Sequence, residues 1–191
     1  MQSLRFDLNP DLKSGHPALE FTNTVGNHAS EQPIEKLFTY EDLLAWAKRI
    51  GLLSDGQARS LSRTAAEHPR EARTVFAKSL ELREAIYRIF VAQTQGKSPA
   101  ESDLTILNSL LVYPTSGAQM VHRAGGFEWQ WNIDANALEA PLWIIALAAS
   151  SLMTSESYQR VGQCADEDGC GWLFIDTTKN HSRRWCDIND C

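Results

Sequence analysis

The sequence predicts a mainly α fold: a helical domain with one β-hairpin, followed by a small C-terminal finger of short strands plus a helical turn. Three observations carry this. Apolar residues recur at helical spacing through most of the chain up to about residue 155. One stretch, "QMVHRAGGFEWQWN", alternates apolar and polar instead. All four cysteines lie between Cys164 and Cys191.

The elements follow in order. "GHPALEFTNTVGNH" reads as irregular, with an apolar patch of Ala18, Leu19, Phe21 and Val25. "TYEDLLAWAKRIG" is a short helix. Thr39 can cap it, Glu41 and Asp42 suit its positive end, and Leu43, Leu44, Ala47 and Ile50 share a face. Gly51 fits the position just past its end. A second helix is expected from Ser54 to about Glu67. The third runs from Pro69 toward Gly96, with Ala72, Val75, Phe76, Leu80, Ile86, Ile89 and Phe90 near a 3.6-residue period. Its basic residues, Arg83 among them, are expected mostly off that face. A fourth helix should start with Ser98 and Glu101 at capping-box spacing and Pro99 in the first turn. Then comes the hairpin, with Gly125-Gly126 as its turn and Phe127, Trp129 and Trp131 as its buried face.

The chain has 191 residues, 43% hydrophobic and 22% charged, which is the globular range. A net charge of -6 argues against a protein that coats nucleic acid. "APLWIIALAASSLM" is the most apolar run. It is shorter than the roughly 20 residues of a membrane span and contains Pro141, Ser150 and Ser151, so a buried helix is expected and no membrane partner. The N-terminal stretch lacks the apolar core and basic lead of a signal peptide. The expected compartment is therefore cytoplasmic and reducing, where clustered cysteines act as ligands or redox groups more often than as disulfides.

The cysteines are spaced C-x5-C, then fifteen residues, then C-x4-C. Four thiolates at about 2.3 Å suit tetrahedral zinc. Between the pairs, Trp172 and Phe174 alternate with Leu173 and Ile175 as in a strand, and "NHSRRWC" can return as a helical turn capped by Asn180. A segment this short needs such a staple. Buried structural cysteines would be scattered, and a redox pair is usually C-x-x-C. An iron–sulfur cluster also takes four thiolates, though this spacing is not a common ferredoxin pattern. Zinc is the expected cofactor.

The run "FIDTTKN", the "RRWC" followed five residues later by a cysteine, and the four cysteines resemble the CGNR zinc finger. "HPALEFTNTV", "YEDLLAWAKRIGLL" and "ELREAIYRIF" resemble, in the same order, the ABATE domain that precedes this finger in bacterial proteins. The resemblance implies an ABATE-like domain over 1–157 and a zinc finger over 158–191. It implies zinc ligation by Cys164, Cys170, Cys186 and Cys191, and a stress-related transcription regulator. The sequence departs from the family pattern after Cys191, where the Gly-Asn-Arg run and a basic tail are absent.

DNA binding through the finger would fall to Lys179, Arg183 and Arg184. From Arg160 to Cys191, however, four basic side chains face six acidic ones, and zinc with four thiolates adds more negative charge. Phosphate neutralisation is the main source of non-specific affinity. Weak or absent DNA binding is expected for this chain, with DNA a partner only where a basic tail exists. Arg183 and Arg184 are expected to pair with Asp166 to Asp168. Glu20 and Asn23 are candidate effector contacts, against the simpler reading that Asn23 and Thr24 bond to backbone. His16, His28, His68, His122 and His181 have neither metal-pair spacing nor a nucleophile motif, so no catalytic residue is assigned and no enzyme is expected. Four cysteines close a tetrahedral site, which leaves His181 out and favours structure over hydrolysis. The long third helix is a candidate homodimer face. The alternative to a regulator is a protein-interaction or effector-sensing module whose zinc site is purely structural.

Overall fold

The structure is a computed structural model. It describes residues 2–3, 6, 11–116, 118–123, 126–131, 133–134, 136–166 and 168–187. In chain order these form β1 (Gln2–Ser3), α1 (Pro17–Thr22), β2 (Val25–Gly26), β3 (Ile34–Glu35), α2 (Tyr40–Arg49), α3 (Asp55–Glu67), α4 (Pro69–Thr94), α5 (Glu101–Ser116), β4 (Gln119–Arg123), β5 (Gly126–Trp131), α6 (Ala140–Met153), a 3-10 turn (Glu156–Arg160), β6 (Val161–Gln163) and β7 (Leu173–Ile175). Among the described residues the fold is mainly α, with a β4–β5 hairpin extended by β1, a short antiparallel pair β2–β3, and a C-terminal finger of short strands. No helix among the described residues is long and apolar enough to cross a membrane.

A helix that is apolar all round must be covered all round. Accordingly α6 occupies the centre, with Leu142, Ile144, Ile145, Leu147 and Leu152 buried and α1, α4 and α5 packed around it. The 26 residues of α4 extend about 39 Å at 1.5 Å per residue. Helix α2 starts as a capping box between Thr39 and Asp42, and α3 as one between Ser54 and Gln57. Gly51 follows α2 at φ +79, a conformation that favours glycine.

Four expectations change. The N-terminal stretch contains α1, for which His16 Nδ1 accepts the Ala18 N–H at 3.2 Å and Pro17 takes the first turn. Helix α5 starts at Glu101, so Pro99 precedes it rather than occupying its first turn. Arg83 lies on the buried side of α4. The hairpin is turned over: Phe127 is 74% and Trp129 50% exposed, while Val121 and Gln130 on the other face are partly buried. Alternation separates two faces without saying which one meets the core. The side chain of Trp131 lies outside the description. The strands pair antiparallel from Gln119↔Gln130 to Arg123↔Gly126, and β1 joins the free side of β5.

Candidate metal centre

The finger is built on β6 and β7, which pair antiparallel with Gly162 opposite Phe174. A Cβ at Gly162 would sit 2.9 Å from the Phe174 ring, so only glycine leaves room for it. The strand β7 alternates as its sequence suggests, and both faces are buried. Leu173 and Ile175 join the core formed by the helices, while Phe174 packs with Cys164, Cys170 and Cys186.

Cys164 leaves β6 and donates its N–H to Trp172 O at 2.8 Å; the next residue, Ala165, bonds Arg184 O at 2.9 Å. Those two bonds draw the three cysteine-bearing segments together. The chain turns through Gly169 (φ +88) and Gly171 (φ +66), on either side of Cys170. It docks on the stretch after β2: His28 N–H donates to Cys170 O at 2.9 Å, and Ala29 N–H to Gly169 O at 3.1 Å. A Cβ on Gly171 would lie 2.6 Å from Ala29 Cβ and 2.9 Å from the Tyr87 hydroxyl. The return segment makes a single turn, His181 N–H to Thr178 O at 3.4 Å, and Asn180 lies within that turn rather than capping a helical one. Asp176 anchors it by accepting from the Thr178 N–H and hydroxyl and from the Arg183 N–H. Burial works to raise the Asp176 pKa, but these hydrogen bonds prevail and hold it below the usual carboxylate range.

The Sγ atoms of Cys164, Cys170 and Cys186 lie within 4.8 Å of one another, and Cys170 and Cys186 are 3.6 Å apart. Four sulfurs at about 2.3 Å in a tetrahedron are separated by about 3.8 Å. The three described thiols therefore fit a zinc ion. A disulfide would need about 2.05 Å. Cys191 lies outside the described residues. Cys164 and Cys186 are buried and Cys170 partly so.

The expected nucleic-acid residues divide. Arg183 is turned inward: its guanidinium stacks 4.5 Å from the Phe174 ring centre and donates to the carbonyls of Trp185, Ile175, Lys13 and Cys186. Lys179 and Arg184 are exposed, with Arg184 beside the half-exposed Trp185. Among the described residues neither Arg183 nor Arg184 forms the expected pair with Asp166 or Asp168.

Asn23 does bond to backbone, and its target is the finger. Its amide donates to Leu173 O and accepts from Leu173 N–H, both at 2.9 Å, as an adjacent strand would. Thr24 donates to Phe21 O, and Glu20 accepts from the Ser14 hydroxyl and N–H. All three border a cleft of about 450 Å³ that also reaches Lys36, Trp46, Arg49 and Trp172. Burial lowers the Lys36 pKa, with Cys170 and Glu20 opposing that and Arg49 and Lys13 adding to it.

One cluster had no reading in sequence terms. Buried Arg83 meets Glu35 through two bonds of 2.8 and 2.6 Å, Glu84 at 3.0 Å and Thr24 at 3.2 Å. Burial opposes ionisation of all three; Glu35 and Glu84 raise the Arg83 pKa, Arg83 lowers that of Glu35 together with the Leu37 and Lys36 N–H groups, and His28, ahead of Arg83, lowers that of Glu84. Glu84 also holds His28 Nε2 at 2.9 Å, and the His28 ring stacks on Tyr87. The available signal was Arg83 falling in register with Val75, Ser79, Ile86 and Phe90 on the buried stripe of α4.

Comparison with known proteins agrees with the two parts of the chain. A family model named ABATE, described as "Putative stress-induced transcription regulator", matches residues 15–156, and the CGNR zinc finger model matches residues 160–191. No curated protein matches the chain.

Proposed function

The chain belongs to the ABATE family, and from that premise we propose that it is a transcription regulator whose zinc ion is a structural brace, locking the finger onto the helical domain. One observation carries this reading: a single three-residue strand supplies Leu173 and Ile175 to the helical core and Phe174 to the cysteine cluster. An ion held by thiolates on one side of that strand fixes the apolar residues on the other. Zinc would be held by Cys164, Cys170 and Cys186, with Cys191 as the fourth ligand. A closed site of four thiolates leaves no position for substrate.

Metal removal tests the brace. Chelation of the zinc-loaded chain should move unfolding of the whole chain to lower temperature, because the helical core loses β7 with the ion. Helices that melt at an unchanged temperature while the finger alone loosens would refute it. Metal analysis of the chain as isolated, before any metal is added, decides between zinc and iron.

Direct DNA contact would fall to Lys179 and Arg184, since Arg183 is spent on carbonyls within the finger. Two cations beside an acidic surface support only weak, salt-sensitive binding. A second reading, a protein partner at the finger, is favoured by that acidic balance and by the half-exposed Trp185. Anisotropy titration of duplex DNA at low salt separates the two: tight binding supports DNA contact and removes the protein-partner reading.

A further inference from the structure

The cleft of about 450 Å³ lies where α1, α2 and the residues after β3 meet the finger. Its size falls in the range of roughly 300–1,000 Å³ typical of small-molecule sites. Its walls include two indoles, Trp46 from α2 and Trp172 from the strand approach of the finger. Trp46 is buried, and its Nε1–H has no acceptor among the described residues.

The charges around the cleft are unequally engaged. Glu20 already accepts two hydrogen bonds from Ser14. Asp42 accepts from the Phe38 and Thr39 N–H groups and from the Thr39 hydroxyl. Lys13 pairs with Asp187 at 2.8 Å. Among the described residues, neither Lys36 nor Arg49 has a carboxylate within ion-pair distance. Lys36 lies 4.3 Å over the Trp172 ring, which attracts the cation without neutralising it. The cleft thus combines two cations that have no described carboxylate within ion-pair distance with flat apolar walls.

We propose that this cleft binds a small organic anion, a carboxylate or phosphate group on a flat apolar body, with the anion at Lys36 and Arg49 and the body against Trp46 and Trp172. Both ends matter. An anion alone would stay in solvent beside two exposed side chains, where ion pairs contribute little. An uncharged flat molecule would leave the cations unmatched. Because α2 contributes Arg49 and Trp46 while the finger contributes Trp172, the ligand touches both parts of the chain. Its binding is a local property that holds whether or not the finger contacts DNA.

The test uses the full zinc-loaded chain, with calorimetry and tryptophan fluorescence as readouts and benzoate, phenyl phosphate, benzamide and inorganic phosphate as probes at matched ionic strength. Benzoate or phenyl phosphate should bind saturably with a Kd below about 1 mM. Benzamide and inorganic phosphate should bind at least about tenfold more weakly. The double variant Lys36→Gln/Arg49→Gln, at two exposed positions, should keep the melting temperature and weaken anion binding at least about tenfold. The proposal is overturned by no saturable binding of either aromatic anion, by equal binding of benzamide or inorganic phosphate, or by unchanged binding in a double variant that folds normally.

Discussion

His16 makes stability depend on pH in a window of its own. Its ring is 1% exposed; Nδ1 accepts the Ala18 N–H that starts α1, and Nε2 is 3.1 Å from Phe6 O. The Nδ1 lone pair must stay free to accept, so the fold holds the neutral ring with its proton on Nε2. Burial pushes the pKa from 6.5 down to about 4, against the smaller pull of the Phe6 carbonyl. The unfolded chain therefore takes up a proton that the folded chain refuses. The stabilisation is complete above the unfolded value of 6.5 and is lost as pH falls from there toward about 4. The full difference is worth about 3 kcal/mol, and about 2 kcal/mol of it is lost by about pH 5. His16→Asn keeps a side chain that can cap a helix but does not titrate. Urea unfolding of both proteins at about pH 8 and about pH 5 checks the claim: wild type should lose about 2 kcal/mol more than the variant across that interval. Equal losses would show that His16 is charged or exposed in the folded chain, and the reasoning would fail.

Three further outcomes follow from the finger contacts and the buried charges. Gly171→Ala should cost more than about 2 kcal/mol in thermal unfolding, because the new methyl group meets Ala29 backbone nitrogen at 2.7 Å and the residue holds φ +66. Asn23→Ala leaves the Leu173 N–H and C=O without their partner, so it should cost about 2 kcal/mol and speed hydrogen exchange at Leu173 selectively. Arg83→Met removes the cation from Glu35 and Glu84 and should cost about 3 kcal/mol, while Glu35→Gln in the same background should recover part of it. Full additivity of those last two changes would show that the pair does not act as a unit.

Local chemistry was the most legible part of the fold. Thr39 with Asp42 and Gly51 with its left-handed turn act within a few residues, so their spacing alone identifies them. The alternation of Trp172, Leu173, Phe174 and Ile175 was equally plain, because a strand buried on both faces still divides its side chains between two neighbours. Long-range choices were hidden. The six residues of α1 are nearly all buried, so there was no polar face to mark a helical period. Phe127 and Trp129 promised an apolar face, but only packing decides which side of a hairpin meets the core. Arg83 and Glu35 are 48 positions apart, and nothing local marks a charge that will be buried with its partner. The same distance hid the role of Asn23, whose bonds to Leu173 span 150 positions.

The two-sided strand bears on how such a protein could change over time. A finger that folds alone can be copied, exchanged or appended to another chain. This one keeps two of the three side chains of β7 in its neighbour's interior and borrows flanking hydrogen bonds from Asn23, His28 and Ala29. A graft of residues 158–191 onto an unrelated helical protein would carry the cysteines but leave Leu173 and Ile175 facing water. The two segments are separate in sequence, yet they are packed as one object.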